Sequence, residues 1–257
     1  MLIPSFWKLT GHMQKMRLSF MFLLSLAPLC AAKAQVLRQN IIGGKEAKPH
    51  SKPWLAYITF SQNNKIQLCS GFLVTEDFVM TAAHCMGKNM TAHLGVHNLN
   101  EDKSTWQIFS LKEFKTLHYN PGTKENDIML LKLHGHAKLS KSVQLLPLPK
   151  KDSVVPVNTI CNVAGWGGSY VLQEVNVEVI SNPECSKLMN QTKITESMMC
   201  AGTKRDNKDA SRGDSGGPLV CHGEAHGIVS FGLPTHPPGV YTRISKFMQW
   251  VKHIIDN

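Results

Sequence analysis

GDSGGPLV stands at residues 213–220 and sets one serine, Ser215, in a glycine-rich turn that leads directly into apolar, strand-like residues. Two other segments also set one polar residue beside apolar, strand-like residues: TAAHC, which contains His84, and NDIMLLKL, which contains Asp127. Taken singly, each polar residue has an ordinary explanation. A lone histidine is usually a hydrogen-bonded core residue, a lone aspartate caps a turn, and a serine among glycines belongs to a turn.

The three residues together supply a nucleophile, a base and an orienting acid. A serine hydroxyl is a poor nucleophile and needs an adjacent base. A histidine serves as that base when a buried carboxylate fixes its tautomer and stabilises the imidazolium that forms. The glycines around Ser215 allow the backbone N–H groups of Gly213 and Ser215 to hold a developing oxyanion, worth roughly 3–4 kcal/mol per donor. We predict a catalytic triad of His84, Asp127 and Ser215.

Short apolar runs between turn residues predict an all-β fold. Many short strands with Gly, Pro and Asn between them are typical of a barrel or a sandwich, and we find no low-complexity linker between domains. The predicted strands are Trp54–Phe60, Gly71–Val74, Phe78–Thr81, Ile108–Phe114, Ile128–Leu133, Thr159–Ala164, Gln173–Ile180, Pro218–Cys221, His226–Phe231 and Gly239–Ile244.

The C-terminal segment has a different periodicity. From Ser245 the chain reads SKFMQWVKHIIDN, in which apolar residues recur at helical spacing. We predict an amphipathic C-terminal helix that docks on the body, with Ser245 as its N-cap. Its apolar residues are Phe247, Trp250, Val251, Ile254 and Ile255.

The N-terminus has the pattern of a secretory signal peptide. Lys15 and Arg17 precede an apolar run, Leu18–Leu26, and Ala32 and Ala34 form a small-x-small cleavage site. The run is too short to span a bilayer. We therefore expect an exported chain without a transmembrane segment.

The cysteines also indicate export. Cys30 lies in the signal segment, and the even number that remains is typical of a disulfide framework. Six cysteines allow 15 pairings, so spacing alone leaves the pairing open, and none form the CxxC pairs of a zinc site. Asn89 and Asn190 begin sequons and are candidate glycosylation sites. The remaining cysteines are Cys69, Cys85, Cys161, Cys185, Cys200 and Cys221.

The basic excess of the chain is moderate and scattered. Five basic and no acidic residues precede Ile41, so the rest carries 23 basic against 18 acidic residues. A nucleic-acid reader concentrates its charge on one motif, so we expect no nucleic-acid partner. The densest stretch is either a solvated face or a surface for a heparin-like glycosaminoglycan. It contains Lys132, His134, His136, Lys138, Lys141, Lys150 and Lys151.

Together with further motifs, these strings resemble the chymotrypsin-like serine peptidases. The order His, Asp, Ser is that family's order, and the likeness also includes IIGG at 41–44, GWG at 165–167, SFG at 230–232 and PGVY at 238–241. The resemblance implies two six-stranded antiparallel β-barrels with the triad in the cleft between them. The segment IIGGKEAKPHSKPW is most similar to the granzyme and mast-cell protease branch.

The resemblance also implies how the chain is divided and activated. Residues 1–34 are an N-terminal extension and signal peptide, residues 35–40 an activation propeptide, and residues 41–257 the catalytic domain. The α-amino group of Ile41, once freed, is implied to pair with Asp214.

A specificity pocket is implied beside the nucleophile. Asp209, six positions before Ser215, corresponds to the residue at its base, and Ser230, Gly232 and Gly239 correspond to its walls. A carboxylate in an open slot favours Arg or Lys at the cleaved position, with a chymase-like preference as the rival. The alternative that Asp209 faces solvent in the polar loop KRDNKDASR stays open.

Disulfide pairs and ligands follow from the same likeness. The implied pairs are Cys69–Cys85, Cys161–Cys221 and Cys185–Cys200, and Ser211 stands where a cysteine of a fourth pair is usual. Calcium-binding relatives have a glutamate at the position of Val96, so we expect no metal, and no other cofactor is implied.

Two departures from the family pattern lie near the cleft. The loop after Trp166 is shorter than usual, which bears on catalytic efficiency and on preference for the leaving-group side of the substrate. Ser70 replaces the glycine that usually follows Cys69.

The sequence therefore predicts a secreted or granule-stored serine endopeptidase. Its expected partners are protein substrates, serpin-type inhibitors and a heparin-like glycosaminoglycan. The main alternative is a catalytically inactive basic homologue that acts as a binding or antimicrobial protein. A purely structural secreted β protein would leave the three motifs unexplained.

Overall fold

Antiparallel strands make up most of the fold. The computed structural model describes residues 41–101, 103–203, 205, 207–233 and 236–257, so the predicted signal peptide and propeptide lie outside the described residues. The helices are α1 (Asn182–Leu188) and α2 (Met248–Ile255). The strands are β1 (Lys45–Glu46), β2 (Leu55–Gln62), β3 (Lys65–Leu73), β4 (Phe78–Thr81), β5 (Lys88–Leu94), β6 (Gln107–Thr116), β7 (Met129–Leu133), β8 (Ile160–Gly165), β9 (Gln173–Ile180), β10 (Met198–Ala201), β11 (Pro218–Cys221), β12 (Glu224–Leu233) and β13 (His236–Arg243).

The first barrel closes in the order β2-β3-β4-β7-β6-β5. Successive side chains of a strand point to opposite faces. In β2, accordingly, Ala56, Ile58 and Phe60 are buried in the barrel while Tyr57 and Thr59 are partly exposed. The inward residues of these strands form one apolar core.

The second barrel closes because β8 pairs with both β11 and β9. The strands run β9-β10-β13-β12-β11-β8, and β1 adds to the free part of β9. The predicted all-β architecture of two six-stranded antiparallel barrels with a C-terminal helix is confirmed.

The C-terminal helix begins later than predicted, and the predicted N-cap is wrong. Ser245 lies in a 3-10 turn, Ile244–Lys246, and its hydroxyl donates to the carbonyl of Ser153 at 2.8 Å. Its oxygen is therefore turned away from the helix, which starts at Met248. Met248 and Val251 pack against the core of the first barrel. Within the described residues, no helix combines the length and apolar character needed to cross a membrane.

Three disulfide bonds join the pairs that the family resemblance implies. Cys69–Cys85 links β3 to the turn that carries His84 in the first barrel. In the second barrel, Cys161–Cys221 links β8 to β11 and Cys185–Cys200 links α1 to β10. Each bond therefore holds one barrel together.

Candidate active site

His84 and Asp127 meet at one end of the first barrel. β4 leads into the 3-10 turn that carries His84, and Asp127 directly precedes β7, the neighbour of β4. Nδ1 of His84 lies 2.7 Å from Oδ2 of Asp127, and the backbone N–H of His84 donates to Oδ1 at 2.9 Å. The Asp127 side chain is fully buried, whereas that of His84 is 28% exposed. The imidazole is thus anchored on one side and accessible on the other.

The second barrel also holds Asp127. Ser230 Oγ, on β12, donates to Oδ2 of Asp127 at 2.5 Å, and Thr242 Oγ1, on β13, donates to the Asp127 carbonyl at 2.8 Å. A carboxylate can be buried when hydrogen bonds replace its hydration. Both of its oxygens are satisfied here, by groups from both barrels.

Ser215 lies in the turn between β10 and β11. Its carbonyl accepts the N–H of Ser70 at 2.8 Å, which attaches the turn to the first barrel. Gly216 follows with a φ of +83°, and a Cβ there would overlap Thr81 Oγ1. The tight turn therefore requires glycine, and Ser215 remains half-buried beside a cavity.

The cavity beside Ser215 has a volume of about 390 Å³. The residues implied for the pocket, Asp209, Ser230, Gly232 and Gly239, all line it. Asp209 is only 3% exposed, so it does not face solvent in a polar loop. A Cβ at Gly239 would lie 2.5 Å from Oδ1 of Asp209, which shows how closely this carboxylate approaches the glycine wall.

The buried charge of Asp209 is compensated by fewer hydrogen bonds than that of Asp127. Its Oδ1 accepts the N–H of Ala210 at 2.7 Å. Burial nonetheless raises the pKa of Asp209 to about 7, and the nearby Asp214 carboxylate adds to the rise while the Ala210 hydrogen bond opposes it. The site therefore contains a carboxylate whose charge is poorly stabilised without a cation.

Asp214 is a second buried carboxylate whose charge has little compensation. Its Oδ2 accepts the N–H of Ser211 at 2.8 Å. Its Oδ1 is buried without a partner among the described residues, and burial raises the pKa of Asp214 to about 7. Ile41 is 5% exposed, and Ile42 pairs with the Asp209 backbone at 2.9 and 3.2 Å.

A comparison with protein families accounts for this arrangement. The family described as Trypsin matches residues 41–251, most of the chain. The chain belongs to the trypsin family. Chymase from Papio hamadryas is 44% identical over 226 residues, which cover 84% of this chain and 91% of the relative.

Two solved structures agree with this trypsin-family assignment. The structure of the protein named GrC matches with a TM-score of 0.80 and 39% identity, over 84% of this chain and 99% of its own. Human heparin binding protein matches with a TM-score of 0.75 and 34% identity, over 84% of this chain and 97% of its own. Both are similar to this chain over the two barrels.

The short loop after Trp166 is fixed to the first barrel of this trypsin-family chain. The Tyr170 carbonyl accepts the N–H of Leu99 at 2.8 Å. The His97 carbonyl accepts the N–H of Leu172 at 3.0 Å and Nε1 of Trp166 at 3.2 Å. Hydrogen bonds therefore attach the shortened loop to the segment that follows β5 of the first barrel.

Two residues near Asp127 were not found from the sequence. Thr242 follows the PGVY motif, but nothing in the motif assigns its hydroxyl to the Asp127 carbonyl. Burial raises the pKa of Tyr119 to about 12, and the charge of Asp127 contributes. The Thr242 bond joins segments that are 115 residues apart, and neither relation has a local sequence pattern.

Possible ligand and modification sites are sparse in the described part of the chain. Metal-ligating atoms lie within 4.8 Å of one another in the group Cys69, His84 and Cys85, but those two cysteines form a disulfide bond and offer no thiolate. The sequon residues Asn89 and Asn190 are both exposed, so each amide is accessible for glycosylation.

Proposed function

We propose that this trypsin-family chain is a secreted serine endopeptidase that hydrolyses peptide bonds through an acyl-enzyme on Ser215. The observation that carries the proposal is the 2.7 Å contact between Nδ1 of His84 and the buried Asp127 carboxylate, beside the turn that carries Ser215. A carboxylate at Nδ1 keeps the proton on that nitrogen and leaves Nε2 basic. A base of this kind is what a serine nucleophile requires.

In the proposed reaction, Nε2 of His84 accepts the proton of Ser215 Oγ as that oxygen bonds to the substrate carbonyl carbon. The electron pair of the C=O bond moves to oxygen, where the N–H groups of Gly213 and Ser215 stabilise it. His84 then protonates the leaving nitrogen as the C–N bond breaks. Water, with His84 again as base, releases the acyl group from Ser215.

Cleavage after Arg or Lys is the finer part of the proposal. Asp209 is buried beside the cavity that Ser215 also lines, and Gly232 and Gly239 leave the walls open. A guanidinium or ammonium group in the cavity would give Asp209 charge-assisted hydrogen bonds. An apolar side chain, as in a chymase-like preference, would leave the buried carboxylate unpaired, which is costly.

Activation is proposed to begin at Ile41. Ile41 is buried, and Oδ1 of Asp214 is without a partner among the described residues, so a freed α-amino group would supply the missing cation. The preceding residue is Asn40, which does not fit a trypsin-like activator. Gln35–Asn40 has an even number of residues, so a dipeptidyl peptidase would stop at Ile41, with an asparagine-specific endopeptidase as the rival. N-terminal sequencing of active protein tests the start point, and any residue other than Ile41 refutes it.

A heparin-like glycosaminoglycan is the proposed non-substrate partner. Four lysines of the basic stretch, Lys138, Lys141, Lys150 and Lys151, are exposed together with two histidines, His134 and His136. Lys132 contributes less, because its Nζ lies 3.8 Å from Asp77 and 4.9 Å from the Phe78 ring centroid. The structural likeness to human heparin binding protein supports the same partner class.

The glycosaminoglycan proposal is tested by elution from heparin resin. Changing the four exposed lysines to Ser should lower the eluting salt concentration, because the contact is electrostatic and screened by salt. A matched control changes four other exposed lysines, Lys65, Lys88, Lys187 and Lys193, and therefore removes the same charge. If the two variants elute at the same salt concentration, this surface is not the glycosaminoglycan-binding site.

A catalytically inactive binding protein is the alternative function, and the similarity to human heparin binding protein is the observation that favours it. Stoichiometric titration with a fluorophosphonate separates the two. An active site labels one serine per chain, and Ser215→Ala abolishes labelling. An inactive homologue stays unlabelled, and a labelled Ser215→Ala variant would mean that another serine reacts. A serpin-type inhibitor would be a further partner of an active site only.

A further inference from the structure

Ser70 lies behind the turn that carries the nucleophile and is completely buried. It belongs to β3, a strand of the first barrel that is hydrogen-bonded to this turn. Its carbonyl accepts the hydroxyl of Thr81 at 2.8 Å, so its backbone is fixed within the barrel. Residue 70 is where the family pattern has glycine, and the function described above does not use its side chain.

Ser70 contacts both residues that are proposed to hold the oxyanion. Its N–H donates to the carbonyl of Ser215 at 2.8 Å, and its hydroxyl donates to the carbonyl of Gly213 at 3.4 Å. The first bond needs only a backbone, whereas the second exists because this chain has a serine. The hydroxyl therefore adds a link between the first barrel and the oxyanion turn.

Gly213 is the residue of the turn that most needs such a link. Its φ is +102°, a conformation that glycine adopts freely, and glycine also leaves it freely. On one side its backbone packs against Gly167, since a Cβ at Gly213 would lie 2.8 Å from the Gly167 carbonyl oxygen. The Ser70 hydroxyl holds the carbonyl of Gly213 itself. The N–H of Gly213 belongs to the preceding peptide plane, so a bond to the Gly213 carbonyl limits rotation about the φ and ψ of Gly213 and through them the direction of that N–H.

We propose that Ser70 is a positioning residue whose hydroxyl holds the Gly213 carbonyl and thereby limits rotation at Gly213, which keeps the Gly213 N–H in the oxyanion-binding orientation. The proposal rests on the proposed peptidase function. Electrostatic stabilisation depends on donors that are already aligned when charge develops. The Ser70 hydroxyl therefore affects the transition state more than substrate binding.

The test compares Ser70→Ala and Ser70→Gly with wild type, all starting at Ile41. Losing one neutral hydrogen bond should lower kcat about three- to tenfold with little change in KM. The inhibition constant of a peptide aldehyde, whose adduct oxygen occupies the oxyanion site, should rise by the same factor. Ser245→Ala is the matched control, because it removes a buried serine hydroxyl bonded to a carbonyl far from the turn. It should change thermal stability but neither kinetic constant.

Hydrogen exchange of the peptide spanning residues 211–220 gives a readout that does not require activity. Faster exchange in this peptide for Ser70→Ala, but not for Ser245→Ala, supports the positioning role. This readout holds even if wild type is not labelled by the fluorophosphonate, because absence of labelling would refute only the peptidase function. Unchanged exchange overturns the proposal. In an active enzyme, an unchanged kcat in Ser70→Ala overturns it as well. So does an effect on KM alone, or a fall in kcat without an equal rise in the inhibition constant of the aldehyde.

Discussion

The first barrel surrounds its buried carboxylate, Asp127, with hydrogen bonds, whereas the second barrel buries two carboxylates, Asp209 and Asp214, that no ion pair reaches within the described residues. Asp127 has a permanent partner in His84. For Asp209 and Asp214, burial raises the pKa to about 7. The difference indicates that hydrogen bonds hold the charge of Asp127 permanently, whereas the charges of Asp209 and Asp214 are poorly compensated. For these two carboxylates we propose a cation from outside, a substrate side chain at Asp209 and a new N-terminus at Asp214.

The largest effect is expected at Asp127. Asp127→Asn should lower kcat about 10⁴-fold, because the amide donates to Nδ1 of His84 and favours the wrong tautomer. Initial rates on one peptide substrate provide the measurement. Asp77→Asn, at another aspartate of the first barrel, is the control and should stay within twofold of wild type. A tenth of wild-type turnover in Asp127→Asn would mean that the carboxylate does not orient the base.

The N-terminus should have the next largest effect. A protein that keeps Asn40 ahead of Ile41 has no α-amino group at Ile41 to pair with Asp214. Loss of a buried ion pair costs about 3–5 kcal/mol, so kcat/KM should fall about 10²–10³-fold. A protein starting with Ile41→Val keeps the amino group and should stay nearly as active. Equal activity with and without Asn40 would mean that activation does not depend on an ion pair between the Ile41 α-amino group and Asp214.

Asp209 should control specificity. In Asp209→Ser, kcat/KM for a peptide with Arg at the cleaved position should fall about 10²–10³-fold, as expected for losing one partner of a buried charge pair. Matched peptides with Lys, Phe, Leu and Asp complete the comparison, and Asp152→Ser serves as an exposed control. The assignment of Asp209 to the pocket is wrong if wild type prefers Phe or Leu, or if the Arg preference survives in Asp209→Ser.

The smallest effect concerns stability and pH. Because the folded-state pKa of Asp209 is raised to about 7 from 3.8, folding favours its protonated form. Its contribution to stability is full below about pH 4 and is lost as pH rises through about 7, by up to a few kcal/mol. Asp209→Asn cannot titrate, so relative to wild type its melting temperature should rise by several degrees between pH 4 and pH 8. Parallel melting curves of the two proteins would contradict an uncompensated Asp209.

The sequence was informative where local pattern determines structure. β4, β9 and β11 have the predicted bounds, because apolar β-type residues there are bounded by turn residues. β5 and β10 were missed, and the inward residues of β5 include the small Ala92. α1 was also missed, although Ser181 caps it and Pro183 lies in its first turn.

The candidate site was predictable as a set of residues but not as a set of contacts. The motifs around His84, Asp127 and Ser215 are local strings, so the resemblance could identify them. The bond from Thr242 to Asp127, 115 residues apart, has no local pattern. The same holds for the burial of Asp209, which depends on how Asp209 packs against Gly239 of β13 and pairs with Ile42.

The disulfide bonds have a mechanical consequence for the cleft. Each one closes within a single barrel, so apart from the connecting chain the two barrels are held together by noncovalent contacts such as those of Ser230 and Ser70. Movement of one barrel against the other would separate the proposed base, His84, from the proposed nucleophile, Ser215, while both cores stay folded. Under rising denaturant or pressure, inactivation is therefore expected to precede unfolding.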